Sequence, residues 1–267
     1  MVDIEAAAKY PMEDDDWIKT VGIGGIFIFL NFLIGTIGAF VVFLLGAITL
    51  GIGFLLFIPL FLIQIVLGLP IMGYGLRVLR TTIEGKDMPP KFGDWGSLFK
   101  EGAYGYGIGL VYVLPFIVLG GGVFAVTVVL GLVAGAATDG GGATSLLISL
   151  GQLAFGLVAL VWYPVAGYLM PISLSVYATE GDVRAAFSRD RLKRVATNKE
   201  YAVPWVVAIA GMLVANNVAS FLTFLVIGAP IQFYVIMVAF RLFGEGYAAA
   251  MESEEATPVG APAETPR

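Results

Sequence analysis

Charge along this chain is confined to short stretches, and long apolar runs separate them. No Asp, Glu, Lys or Arg lies among the 57 residues between Lys19 and Arg77. The runs from Glu101 to Asp139, Asp139 to Glu180 and Glu200 to Arg241 hold 37, 40 and 40 uncharged residues. About 20 apolar residues in a helix cross the roughly 30 Å hydrocarbon core of a bilayer. The first run therefore holds two helices, broken near Thr49-Leu50-Gly51-Ile52-Gly53, and the last holds two short ones, broken near Val226-Ile227-Gly228. The middle runs hold one each. The pattern predicts helices near 20–46, 53–80, 103–136, 144–178, 202–223 and 226–246. The expected fold is an all-α integral membrane protein of six transmembrane helices arranged as three hairpins. Residues 1–19 form an acidic N-terminal segment, 20–246 the membrane domain, and 247–267 a tail of Ala, Glu, Pro and Thr expected to be disordered.

Composition agrees with that reading and narrows the chemistry. Apolar residues make up 58% of the chain and charged residues 13%, about half the ~25% of soluble domains. The mean hydropathy is +0.90. These values exclude an ordinary soluble globule. With no Cys there is no disulfide or thiolate chemistry. With no His the commonest general base and metal ligand are missing. The net charge of −5 argues against nucleic acid as a partner.

The charges also orient the helices. Six spans place both termini on one side, together with the 81–102 and 179–201 loops. All 15 Lys and Arg fall on that side or at the helix ends facing it, and Asp139 is the only charge on the opposite turns. The positive-inside rule makes the charged side cytoplasmic, so the expected location is the cell membrane with both termini inside. The flank Glu13-Asp14-Asp15-Asp16 is acidic where a cleavable signal is basic, so the first helix is expected to be retained. That run reads as a solvated acidic stretch.

The even-numbered helices share punctuation. Pro70 and Tyr74 precede Glu84-Gly85, Pro164 and Tyr168 precede Glu180-Gly181, and Pro230 and Tyr234 precede Glu245-Gly246. The Pro-to-Glu separations are 14, 16 and 15 residues. The candidate repeat motif is thus Tyr74, Glu84, Tyr168, Glu180, Tyr234 and Glu245, with each Glu-Gly ending a helix at the charged face. The ordinary preference of Gly for the position after a helix explains part of this.

Two loops carry further pattern. Phe92, Trp95, Leu98 and Phe99 share one helical face, which suits a short helix in the headgroup layer or a loop capping the bundle. Phe92, Trp95 and Phe99 are therefore candidate interfacial residues. The 182–199 segment carries Arg184, Arg189, Arg191, Lys193, Arg194 and Lys199, a cluster that sets topology and can also attract anionic headgroups.

The stretch Gly73-Tyr74-Gly75-Leu76-Arg77-Val78-Leu79-Arg80-Thr81-Thr82, then Pro89, then Phe92-Gly93-Asp94-Trp95-Gly96-Ser97-Leu98-Phe99-Lys100-Glu101-Gly102 resembles the signature of the domain of unknown function 4013 family. The resemblance covers about residues 10–250. It implies a multi-pass membrane protein of archaea, mainly haloarchaea, and the acidic composition suits a halophilic host. It carries over no activity and no functional residue.

A search for a site finds little. No charged residue lies deep in a predicted span, whereas ion-coupled carriers usually keep one there. Among the intramembrane polar residues, the pair Asn216-Asn217 is a candidate intramembrane polar site. Interhelical hydrogen bonding is its ordinary role. The third helix, with Pro115 and Gly120-Gly121-Gly122, is either broken around a cavity or extended along the interface before it spans. Glu84, Asp94 and Glu180 would converge at the charged face if the repeat were genuine. No nucleophile-elbow or phosphate-loop motif is present. The expectation is a non-enzymatic scaffold, accessory or bilayer-organising protein with no catalytic residue, cofactor or metal. Its expected partners are membrane lipids and either a membrane protein or a second copy of the chain. A small-solute transporter or channel is the alternative, and a membrane enzyme the third.

Overall fold

A computed structural model describes residues 4–137, 141–223 and 225–255. All regular structure among them is helical. Short helix α1 (Ile4–Lys9) and a 3-10 turn (Tyr10–Met12) precede α2 (Trp17–Ile48), and α3 (Phe57–Ile83) follows a 3-10 turn at Ile52–Leu56. Next come α4 (Trp95–Phe116), a π-turn (Ile117–Gly121) and α5 (Gly122–Ala137), which run on as one rod. Then follow α6 (Gly141–Glu180), α7 (Arg189–Ala196), α8 (Lys199–Thr223) and α9 (Gly228–Glu255). Six helical segments are long and apolar enough to cross a membrane: Trp17–Ile48, Ile52–Ile83, Trp95–Ala136, Thr144–Glu180, Lys199–Thr223 and Gly228–Ser253.

Local chemistry sets the breaks. After α2 the backbone turns left-handed at Leu50 and Gly51. Thr49 Oγ1 donates to the Leu45 carbonyl at 2.6 Å and accepts from the Gly53 N–H at 2.7 Å, closing the turn. Gly85 and Gly181 hold φ of +73° and +70° just past α3 and α6, a conformation that favours Gly. Asp94, also left-handed, caps α4 by accepting from the Ser97 N–H at 3.4 Å.

Four expectations change. Residues 95–102 are not a separate headgroup helix but the first two turns of the third span. That span is not broken: it absorbs Pro115 in a π-turn beside it, where Trp162 Nε1 donates to the Tyr112 carbonyl at 2.7 Å. The tail does not begin at Tyr247, because α9 runs to Glu255 with Tyr247 and Ala250 buried. Asn198 Nδ2 fastens that end to the Ala250 carbonyl at 3.2 Å and to Ser253 Oγ at 2.7 Å. The rest of the expected disordered tail, 256–267, lies outside the described residues. Finally, the acidic run is not wholly solvated: Asp14 is only 3% exposed, and Lys91 Nζ lies 4.0 Å from it and 3.6 Å from Asp16.

The core sits at the charged end. Buried positions of α3 begin at Gly68, and those of α6, Gly151 apart, lie between Pro171 and Ala178. The other halves of these helices expose large apolar side chains such as Phe61, Leu62, Leu160 and Val161. In α9, half of the most apolar window is buried, against at most 17% in any other span. Helix α9 touches α2, α3, α6 and α8, whereas α5 packs mainly on α6 and the π-turn. Three hairpins, α2–α3, α4/α5–α6 and α8–α9, are therefore locked together at one end.

Candidate functional site

The family-like stretch organises the charged end. Gly73 faces the Leu98 carbonyl and Gly102 faces the Leu69 carbonyl so closely that a Cβ at either position would overlap the oxygen. The α3 and α4 backbones can meet only because both residues lack a side chain. That approach brings Arg77 and Arg80 of α3 against Glu101 of α4. Arg77 Nη1 donates to the Gly93 carbonyl at 2.7 Å and Nη2 to the Asp94 carbonyl at 3.2 Å, which ties down the loop before α4. Its Nε lies 3.7 Å from Glu101 Oε2. Arg80 Nη1 reaches Glu101 Oε1 at 3.5 Å, and Ser97 Oγ donates to the same oxygen at 3.0 Å. Arg80 Nε donates to the Ala178 carbonyl at 3.0 Å, pinning α6 to the pair.

Beside this cluster opens a cavity of about 620 Å³. Its walls come from Arg80, from Lys100, Glu101 and Tyr104 of α4, from Tyr177 of α6, and from the loop Gly181–Arg184. The Tyr104 and Tyr177 rings are 5.6 Å apart. Asp182 Oδ1 accepts from the Arg184 N–H at 2.9 Å, so that acid serves its own loop. Lys100 and Arg184 have no ion pair or side-chain hydrogen bond among the described residues.

The residues expected from sequence are placed as follows. Phe92 faces inward: its ring stacks on Tyr74 at 4.5 Å and lies 5.7 Å from Phe233. Trp95 is exposed and Phe99 half-buried, so of the three interfacial candidates only Trp95 is largely uncovered. Asn216 is half-buried, and Asn217 is exposed with its amide donating to the Leu213 carbonyl of its own helix at 2.7 Å. The six repeat positions do not form one site. Tyr168 donates to the Ala196 carbonyl and Tyr234 to the Ala8 carbonyl, whereas the buried Tyr74 hydroxyl has no hydrogen-bond partner among the described residues. Glu84 pairs with Lys86, Glu180 with Arg191 and Glu245 with Arg241. The first two Glu-Gly pairs end helices, but Glu245-Gly246 lies inside α9. Gly246 packs there against Pro204 of α8 instead of turning the chain. Glu84, Asp94 and Glu180 each engage a different group, Lys86, the Ser97 N–H and Arg191.

Arg80, Lys100 and Glu101 lie at i+3 or closer to other signature residues, but nothing local announces their meeting with Tyr177 and Arg184. At the N-terminal edge, Arg241 sits over the Tyr10 ring at 4.8 Å. Burial raises the Tyr10 phenol above its ordinary pKa, partly opposed by its hydrogen bond to Thr81 and by that guanidinium.

The fold and the charge placement define a six-helix, multi-pass membrane protein with a polar cavity at its charged end. Residues 52–227, about two thirds of the chain, match the family model described as Protein of unknown function (DUF4013), and the chain belongs to that family. No curated protein and no solved structure matches it.

Proposed function

We propose that this is a non-enzymatic accessory or bilayer-organising protein of the cell membrane, with its charged end in the cytoplasm of a halophilic archaeon. The observation that carries the reading is where the packing lies. The hairpins are joined at the charged end, and beyond it their apolar flanks are left to lipid or to neighbouring proteins. Glu84 and Glu180 sit in ion pairs and Asp94 caps α4, which supports a structural role for these carboxylates.

The test is crosslinking of a tagged chain in its native host, with mass spectrometry of what co-purifies. A reproducible stoichiometric partner is expected. Self-crosslinks alone would move the transporter reading to first place. That alternative draws on the π-turn beside Pro115, because such turns are frequent at functional positions. Flux in liposomes, abolished by Asn216→Leu with Asn217→Leu while the protein still folds, would establish it.

Orientation is testable directly because the chain has no Cys. A membrane-impermeant maleimide is expected to label Lys86→Cys only in inside-out vesicles. Leu50→Cys, at a 97% exposed turn position on the opposite side, should label only in right-side-out vesicles. The reverse pattern would invert the proposed topology.

A further inference from the structure

We propose that the cavity between α3, α4 and α6 is a binding site for a phosphate-bearing anion, either the phosphodiester of a membrane lipid or a free phosphate. This goes beyond the accessory role, since the cavity is built by its own side chains whatever the apolar flanks meet.

Charge is the first argument. Three cations, Arg80, Lys100 and Arg184, line the cavity against two carboxylates, Glu101 and Asp182. Both carboxylates are already engaged. Glu101 is shared between Arg80 and Arg77, whose guanidinium stands behind it, and Asp182 is bound to the backbone of its own loop. The lining therefore carries one more positive than negative charge, and Lys100 and Arg184 point no charge-assisted bond at any described group. Both cations are exposed beside one opening and come from different elements, which leaves them able to receive an anion together. Arg geometry matches the oxygens of phosphate, and Lys adds a mobile point charge.

Position and size are the second argument. The cavity lies where α3 and α6 end and α4 begins, which is the boundary between the apolar spans and the charged loops. Basic pockets between transmembrane helices at that depth recognise lipid headgroups. Tyr104 and Tyr177, set together in the wall, suit the same layer because their rings are apolar and their hydroxyls wet. About 620 Å³ is room for a phosphate with its glycerol attachment.

The experiment is native mass spectrometry of the full chain in detergent, incubated with equal amounts of dioleoyl phosphatidylglycerol and dioleoyl phosphatidylcholine. Thermal unfolding with sodium phosphate runs in parallel. The wild type is expected to retain phosphatidylglycerol in preference. The variant Lys100→Gln with Arg184→Gln should lose about tenfold or more of that preference. Lys100→Arg with Arg184→Lys should keep most of it. Arg189→Gln with Lys193→Gln, which removes two basic residues outside the cavity, should leave it unchanged and so separates a site from general surface charge. If sodium phosphate alone stabilises the wild type and not the glutamine variant, the ligand is a free phosphate. If only the lipid does so, it is a headgroup. The proposal is overturned if the glutamine variant, folded by circular dichroism, retains the lipid as well as the wild type. It also fails if the wild type neither distinguishes the two lipids nor responds to phosphate.

Discussion

Replacing Gly73 and Gly102 together with alanine is expected to prevent the protein from assembling as a stable, monodisperse species. Each new Cβ would overlap a backbone carbonyl oxygen, of Leu98 and of Leu69 respectively, and backbone cannot swing aside as a flexible side chain does. Relief requires α3 and α4 to move apart, which pulls Arg77 and Arg80 away from Glu101. Overpacking costs about 1–3 kcal/mol at an ordinary core site and more where backbone is the obstacle. Two sites on one interface should therefore lower the unfolding midpoint by about 10 °C or more, read by thermal unfolding in detergent. Gly107→Ala is the matched control: nothing lies within 4 Å of its Cβ position, and Ala is the better helix former. It should match or exceed wild-type stability. If the double variant does the same, the close α3–α4 approach is wrong.

Arg77→Ala is expected to be the most damaging single charge removal. The Arg77 side chain is 15% exposed and makes two charge-assisted bonds to the carbonyls of Gly93 and Asp94. Glu101 Oε2, buried and without a hydrogen bond among the described residues, loses the Arg77 guanidinium as well. Bonds to charged groups contribute about 1.5–3 kcal/mol each, and Glu101, left with Arg80 and the Ser97 hydroxyl on its other oxygen, adds to the cost. A loss of about 2–4 kcal/mol follows on that scale. Arg77→Lys should recover less than half, because an ammonium cannot reach both carbonyls and the carboxylate at once. Lys86→Ala provides the contrast. Its partner Glu84 is 2.6 Å away, but the two side chains are 62% and 47% exposed, so the change should stay within about 0.5 kcal/mol. Equal effects of Arg77→Ala and Lys86→Ala would remove Arg77 from its keystone position.

These two predictions rest on residues that the sequence displays but does not connect. The six spans were legible because charge-free runs of that length have one stable solution in hydrocarbon. The breaks at Thr49–Gly53 and before Gly228 were legible for a related reason, since small and turn-forming residues interrupt otherwise uniform runs. Phe92, Trp95, Leu98 and Phe99 were read as one helical face, lying in the headgroup layer or capping the bundle, but α4 begins only at Trp95 and Phe92 belongs to the loop before it. Helical periodicity reports that a side is apolar, not what it meets. Here Phe92 meets Tyr74 and Phe233. Residues 247–255 read as a tail because Ala and Glu are common in disordered segments, yet both are good helix formers and Asn198 holds the end of α9. The Glu-Gly punctuation was legible as a pattern, but only Gly85 and Gly181 have the positive φ that ends a helix.

Sequence alone determined that this is a six-helix membrane protein with its basic residues at one end. In hydrocarbon every backbone polar group must be satisfied within its own segment, so composition and run length dictate helices without knowledge of their neighbours. The tertiary structure alone decided which charged ends meet. The cavity joins residues from Arg80 to Arg184, and their meeting depends on how closely α3 and α4 approach through Gly73 and Gly102 and on where Arg80 catches the end of α6. Those are lateral packing relations between helices, and no local spacing along the chain encodes them.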